Sequence, residues 1–279
     1  MSRQPIAELF GFPPNSNTEE AQRYRRNRLC PYNNNVPNCT KDSVIDPLGV
    51  CTINHGSDLA VICPVRLRQE WIIADQAAEF FFPVGTQWTT LVEVRLKDKS
   101  GKSAGNIDVV LVAYNENGVV TDFGSLEVQT VYISGNLRRA FFKPLMENRE
   151  EYLSVDCVGQ KNYPRPDYLS SLSKGLAPQM IYKGGVLNKW KKKTAIAIDK
   201  CFFDTLPIPA EVPKEQAEIA WLIYDLEVSK SKDSAFQLAH RQTVYTRRPV
   251  NLQGPELFQG ISEEDFLCQL EYELDKVTV

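Results

Sequence analysis

The sequence predicts an α/β protein, a mixed sheet flanked by helices, preceded by an irregular N-terminal region. Three observations predict it. A helical pattern over 70–82 is followed by three β-branched runs at 91–96, 107–114 and 126–133. Helical stretches at 136–146 and 166–190 then give way to strand signals at 194–203 and 219–228, an order that suits a sheet with helices packed on it. Residues 31–64, by contrast, are rich in Pro, Asn, Gly and Asp, show little periodicity and cannot build a core from their own apolar residues.

The elements follow in order. Ile6 to Phe12 is a short apolar segment. Residues 18–29 read as a polar helix with Thr18, Glu19 and Glu20 at its start and Arg23, Arg25, Arg26 and Arg28 toward its end, which suits the helix dipole. Over 70–82, Trp71, Ala74, Ala78 and Phe81 recur at helical spacing, and Pro83 stops the helix. A weaker strand signal spans 242–249. Ser262-Glu263-Glu264-Asp265 opens a last helix that carries Phe266, Leu267, Leu270 and Leu274. The composition break divides the chain at residue 68: 1–68 as a four-cysteine region and 69–279 as the α/β body.

Composition excludes several functions. The 279 residues are 43% apolar and 24% charged, ordinary for a globular chain able to bury its core without disulfides. No run nears the ~18 apolar residues of a membrane span, and the start has no basic-then-apolar leader, so a cytoplasmic protein without a membrane partner is expected. Only His55 and His240 are present, too few for His-dependent metal nucleases or zinc hydrolases. Gly101-Lys102-Ser103 is not a phosphate loop, because Leu96 stands where its first glycine belongs. The net charge of −3 argues against a simple basic nucleic-acid binder, but the charge is unevenly spread. Residues 69–136 hold 4 basic and 9 acidic side chains, and residues 137–200 hold 13 and 6. Such a neighbourhood suits a site that takes a metal and a polyanion together.

Two constellations carry chemistry. Cys30, Cys39, Cys51 and Cys63 are separated by eight, eleven and eleven residues within the least self-supporting stretch. In a reducing compartment four such thiols suit a tetrahedral soft-ligand metal, whose binding energy becomes folding energy. Spacing alone favours zinc. Cys157, Cys201 and Cys268 are scattered and read as core or surface thiols. The second constellation is Asp108 with Glu127-Val128-Gln129. Asn117-Gly118 is a strong hairpin signal, and a two-residue turn there sets Asp108 opposite Glu127, with Gln129 on Glu127's face. Facing carboxylates repel unless a cation lies between them, and Mg²⁺ with oxygen ligands is the natural occupant.

Asp108 followed by Glu127-x-Gln129 resembles the PD-(D/E)xK nuclease motif, with Gln in the usual Lys position. Together with Phe10-Gly11-Phe12-Pro13, Arg28-Leu29-Cys30-Pro31, Cys39-Thr40-Lys41, Gly49-Val50-Cys51 and Ala60-Val61-Ile62-Cys63-Pro64, it makes residues 6–150 resemble the NotI-like restriction endonucleases. The resemblance implies a PD-(D/E)xK core, iron on Cys30, Cys39, Cys51 and Cys63, and cleavage of GC-rich palindromic DNA by a homodimer. On this reading Asp108, Glu127 and the Val128 carbonyl hold Mg²⁺ and Gln129 orients; Glu93, on the strand before Asp108, is the candidate for a further acid, ahead of Glu70 and Glu79 on the preceding helix. DNA contacts are expected from Arg138, Arg139, Lys189, Lys191, Lys192 and Lys193. Such an enzyme is bacterial and calls for a separate methyltransferase to protect host DNA. The competing readings are a repair or structure-specific PD-(D/E)xK nuclease and a catalytically silent, metal-stabilised DNA-binding protein.

Overall fold

The computed structural model describes residues 4–33, 37–97, 101–229, 236–248 and 260–277. A small antiparallel sheet comes first, made of β1 (Ile6–Leu9), β2 (Val50–His55) and β3 (Asp58–Val61). Helix α1 (Glu19–Asn27) lies between β1 and β2, and Thr18 caps it by accepting the Ala21 N–H at 3.2 Å. A 3₁₀ segment, Pro64–Trp71, leads to α2 (Ile72–Phe81) and then to the antiparallel arm β4 (Trp88–Lys97), β5 (Ser103–Tyr114) and β6 (Val120–Gln129). Strand β7 (Tyr132–Ser134), a π-helical turn at Arg138–Phe142, α3 (Lys143–Glu147) and α4 (Arg149–Ser154) follow, and β8 (Arg165–Asp167) returns to pair with β7. The chain then runs through α5 (Tyr168–Ser170), a π segment at Ser171–Leu176, and α6 (Ala177–Lys189). Strand β9 (Thr194–Asp199), α7 (Lys200–Phe203), β10 (Ile219–Val228), β11 (Phe236–Thr246) and α8 (Glu263–Val277) complete it.

The main sheet has the order β11-β10-β9-β6-β5-β4, with β6-β9 and β9-β10 parallel and the other pairs antiparallel. The fold is thus mixed α/β, a sheet flanked by helices. Period-2 alternation sorts its side chains between two layers. Val109, Leu111, Leu126, Val128 and Ala197 pack against Ala77, Ala78 and Phe81 of α2. On the other face, Val110, Val112 and Phe123 meet Val186 and Leu187 of α6 and Phe266 and Leu270 of α8. Farther along that face, Ile196, Ile198 and Trp221 share one core with Phe141, Leu176 and the small sheet's Ile6, Leu9, Val50 and Ile53. The N-terminal region is therefore built onto the sheet and draws its core from it. A buried ion pair lies beside the join: Arg66 Nε is 2.8 Å from Glu8 Oε2, with side chains 0% and 1% exposed, and Arg66 Nη2 crosses to donate to Phe236 O of β11 at 3.2 Å. Tyr32 and Thr52 hydroxyls donate to the same carboxylate, and the Arg66 guanidinium sits 4.4 Å from the Tyr32 ring centre.

Several boundaries differ from the sequence reading. Residues 31–64 contain β2 and β3, whose four to six residues are too short to show a period beside so many Asn and Pro. The helix expected from residue 70 starts at Ile72, because Glu70 and Trp71 take left-handed φ values of 53° and 54°. The run 126–133 is broken: β6 begins earlier and ends at Gln129, and β7 is a separate ribbon. The run 194–203 is half helix, since Asp199 stops β9 and caps α7 by accepting the Phe202 N–H at 3.2 Å. Strand β11 ends at Thr246, and Pro249 lies outside the described residues.

Candidate active site

Strand register builds the site. Val109 pairs with Leu126 and Ala113 with Asp122, a register that sets Asp108 opposite Glu127. The expected pairing arises by a different turn. Asn115 O accepts from Gly118 N–H at 2.9 Å, Asn115 N–H donates to Val119 O at 3.0 Å, and Gly118 takes φ 77°. This is a three-residue loop with a bulged glycine. A further irregularity between Ala113 and Tyr114 supplies the extra residue that restores the pairing. On the other side of β5, Val92 pairs with Val109 and Val94 with Ile107, so Glu93 falls opposite Asp108. Glu93 holds φ 57°, a left-handed conformation that costs a non-glycine residue about 1–3 kcal/mol. Glu93, Asp108 and Glu127 thus stand in one row across β4, β5 and β6.

The three acids have different surroundings. Glu127 is 5% exposed. Burial, and then the charge of Asp108, push its carboxyl up to about 8, against the opposing pull of Lys183. Asp108 Oδ2 accepts the Val128 N–H at 2.9 Å. Glu93 is solvent-facing, 3.9 Å from Arg68 Nη2. Gln129 Nε2 donates to Gln179 Oε1 at 2.6 Å. The sequence reading missed both α6 residues that touch this row, Gln179 and Lys183. Their spacing of four within a helical stretch was the available signal.

Of these residues, all but the buried Glu127 and Lys183 open on a cleft of about 790 Å³. Glu93, Asp108, Gln129 and Gln179 line it from the body, and Lys41, Asp42, Leu48 and Ile62 from the N-terminal region. Arg68 also lines it, and its Nε is buried with no hydrogen-bond partner. Glu70 lies at the kink before α2, and Glu79 lines a separate hollow with Asp75 and Lys214. Neither joins the row.

The four N-terminal cysteines are free thiols in one neighbourhood. The β2–β3 hairpin joins Cys51 and Cys63, whose N–H donates to Cys51 O at 3.2 Å. Those two pack with Tyr32, Cys30 and Val65. Cys39 N–H donates to Arg28 O at 2.8 Å, which brings that loop to the same end. Burial pushes the Cys30 thiol up to about 12 and raises Cys39 and Cys51, and neighbouring thiols add to each. A soft cation would offset both penalties, so the donor chemistry, though not the observed spacing, suits a thiolate-bound metal. Among the described residues, no three His, Cys, Asp or Glu side chains converge at metal-holding geometry.

The basic residues do not gather at the cleft. Arg138 lines it but is held by Asp42 and Asp46, at 2.6 and 2.8 Å, and so fastens the cysteine loop to the turn after β7. Arg139 is exposed. Lys192 pairs with Asp122 and Glu263 at 2.8 and 2.9 Å, and Lys193 donates to Phe80 O at 3.0 Å. Lys189 and Lys191 are exposed. The run enters β9 at Thr194, which pairs with Ser125, whereas Gln129 pairs with Ile198. It therefore sits at the far end of β6 from the cleft.

Fold and site together define a mixed α/β protein with a row of acids in a cleft that its N-terminal region helps to wall. Residues 16–238 match the family model described as restriction endonuclease NotI, and the chain belongs to that family. Membership makes it a site-specific, DNA-binding endonuclease of a restriction system. No curated protein matches the chain. Among the described residues, no helix is long and apolar enough to cross a membrane.

Proposed function

We propose that the protein is a type II restriction endonuclease with a PD-(D/E)xK core, which makes Mg²⁺-dependent double-strand cuts in a GC-rich palindrome. The observation that carries this reading is the row of Glu93, Asp108 and Glu127 beside Gln129. Asp108, Glu127 and the Val128 carbonyl would hold Mg²⁺, with Glu93 as a further ligand. The bound ion supplies a polarised scissile phosphate and an activated water, giving 5′-phosphate and 3′-hydroxyl ends. Gln129 carries no charge near pH 7 and orients rather than takes a proton. Arg68, which lines the cleft, can neutralise a phosphate oxygen.

Residues 1–68 serve as a structural metal region, with iron on Cys30, Cys39, Cys51 and Cys63 and zinc as the alternative. Residues 69–279 carry catalysis, DNA binding and dimerisation. Arg139, Lys189 and Lys191 are free to meet phosphates, whereas Arg138, Lys192 and Lys193 would first have to leave the partners they hold. A palindrome read symmetrically calls for a twofold homodimer, and host DNA for a separate methyltransferase in the bacterial cytoplasm.

The test is incubation of purified protein with unmethylated phage DNA in Mg²⁺, beside an EDTA lane and the Glu127→Ala variant. Sharp bands only in the wild-type Mg²⁺ lane are expected, and their ends give the site. Binding without cutting by folded, metal-loaded protein, on DNAs that between them carry the GC-rich palindromes, would replace this reading with the silent DNA binder.

A further inference from the structure

Among the described residues, no cation on the row's own strands pairs with Glu127. Gln129 follows Glu127 on the same face of β6 and is neutral, and Arg68 reaches only the exposed Glu93 at the row's outer end. The cation that touches the buried member comes from elsewhere. Lys183, on α6, is 6% exposed, and its Nζ lies 2.7 Å from Glu127 Oε2. One turn earlier on the same helix, Gln179 holds Gln129. The match is geometric: four residues along a helix rise about 6 Å, and two along a strand about 6.6 Å. Gln179 and Lys183 therefore meet Gln129 and Glu127 as two rungs of one ladder. Burying an ammonium is costly unless it is paired, and few lysines are buried otherwise. Gly105 lies beside the Lys183 stem, where an added Cβ would come within 3.8 Å of its Cε.

We propose that Lys183 is the charged positioning residue of the catalytic row, delivered from α6 to fix Glu127 beside Asp108 and to supply the positive charge that Gln129 does not. Its fixed charge offsets the repulsion between the two acids and sets the Glu127 rotamer for the metal-bound state. This rests on the nuclease reading above.

The test compares wild type, Lys183→Met, Lys183→Arg and the double variant Gln129→Lys/Lys183→Met. Cleavage in Mg²⁺ gives kcat and KM for DNA, and thermal unfolding in EDTA reports on the metal-free protein. Lys183→Met is expected to lose about 100-fold or more in kcat with KM little changed. Lys183→Arg keeps most of the activity. The double variant regains a good part of it, because position 129 can present an ammonium to the same carboxylate. In EDTA, Lys183→Met is expected to keep a single cooperative unfolding transition, so that its loss of cleavage is not a loss of fold. Wild-type cleavage with an equally active Lys183→Met overturns the inference alone. So does a Lys183→Met defect that neither Lys183→Arg nor the double variant repairs, which makes Lys183 structural. A wild type that does not cut overturns the nuclease reading and this inference with it.

Discussion

The acidic arm and the cysteine region reach order by opposite means. In the arm, Glu93, Asp108 and Glu127 are aligned by backbone ladders of adjacent strands, and the neighbours of each acid follow from register. In the cysteine region, four thiols from two loops and a short hairpin are gathered by long connections, and the apolar support comes from Ile196, Trp221 and Phe141 far along the chain. The first can be perturbed chemically with little effect on the fold. The second cannot, because there the candidate ligands are also the packing.

The largest expected effect separates the two. Asp108→Ala should reduce cleavage about 1,000-fold or more while the unfolding curve in EDTA stays within about 1 kcal/mol of wild type. A comparable loss of fold would erase the distinction. On the other side, Arg66→Met leaves Glu8 buried and unpaired and should cost about 3–5 kcal/mol of stability. Glu8→Gln in the same protein should recover part of it, as read by denaturant unfolding. If the four thiols hold a metal, its removal by a strong chelator should lower Tm by about 10 °C, given 2–4 °C per kcal/mol for a chain of this size. The same loss should appear in Cys51→Ser, with metal content measured in parallel.

A smaller effect lies where the cysteine region touches the parallel part of the main sheet. Asp199, on β9, accepts the Val61 N–H of β3 at 3.3 Å. Burial holds its carboxyl up at about 7, against an ordinary 3.8. The native state therefore keeps a proton that the unfolded chain has released, and stability from this group falls as pH rises between those values. Wild-type Tm should fall by a few degrees between about pH 4 and pH 7, whereas Asp199→Asn, whose single amide oxygen cannot accept from both the Val61 and the Phe202 N–H, should be less stable than wild type but flatter over that range. The smallest effect belongs to Arg138→Ala. Its ion pairs with Asp42 and Asp46 are partly exposed, so stability should fall by about 1 kcal/mol or less. A large loss of cleavage in that variant, with stability kept, would restore Arg138 to the DNA-binding surface.

The sequence by itself determined the α/β class, the helices at 18–29 and 262 onward and strand β10 to its ends; it also pointed to the pairing of Asp108 with Glu127, though by a two-residue turn where a three-residue loop and a bulge set the register. These follow from local periodicity, capping chemistry and strand alternation, which act over a few residues. The tertiary structure alone decided the rest. It placed Lys183 on Glu127 and Gln179 on Gln129, because a helix some fifty residues downstream docks across β6. It sent the lysines at 189–193 to the far end of β6, although their density alone suggests a binding face. It also took Arg138 into the cysteine loop and built β2 and β3 inside a stretch without a visible period. Contacts between distant segments depend on which faces a core brings together, and no local pattern encodes that choice.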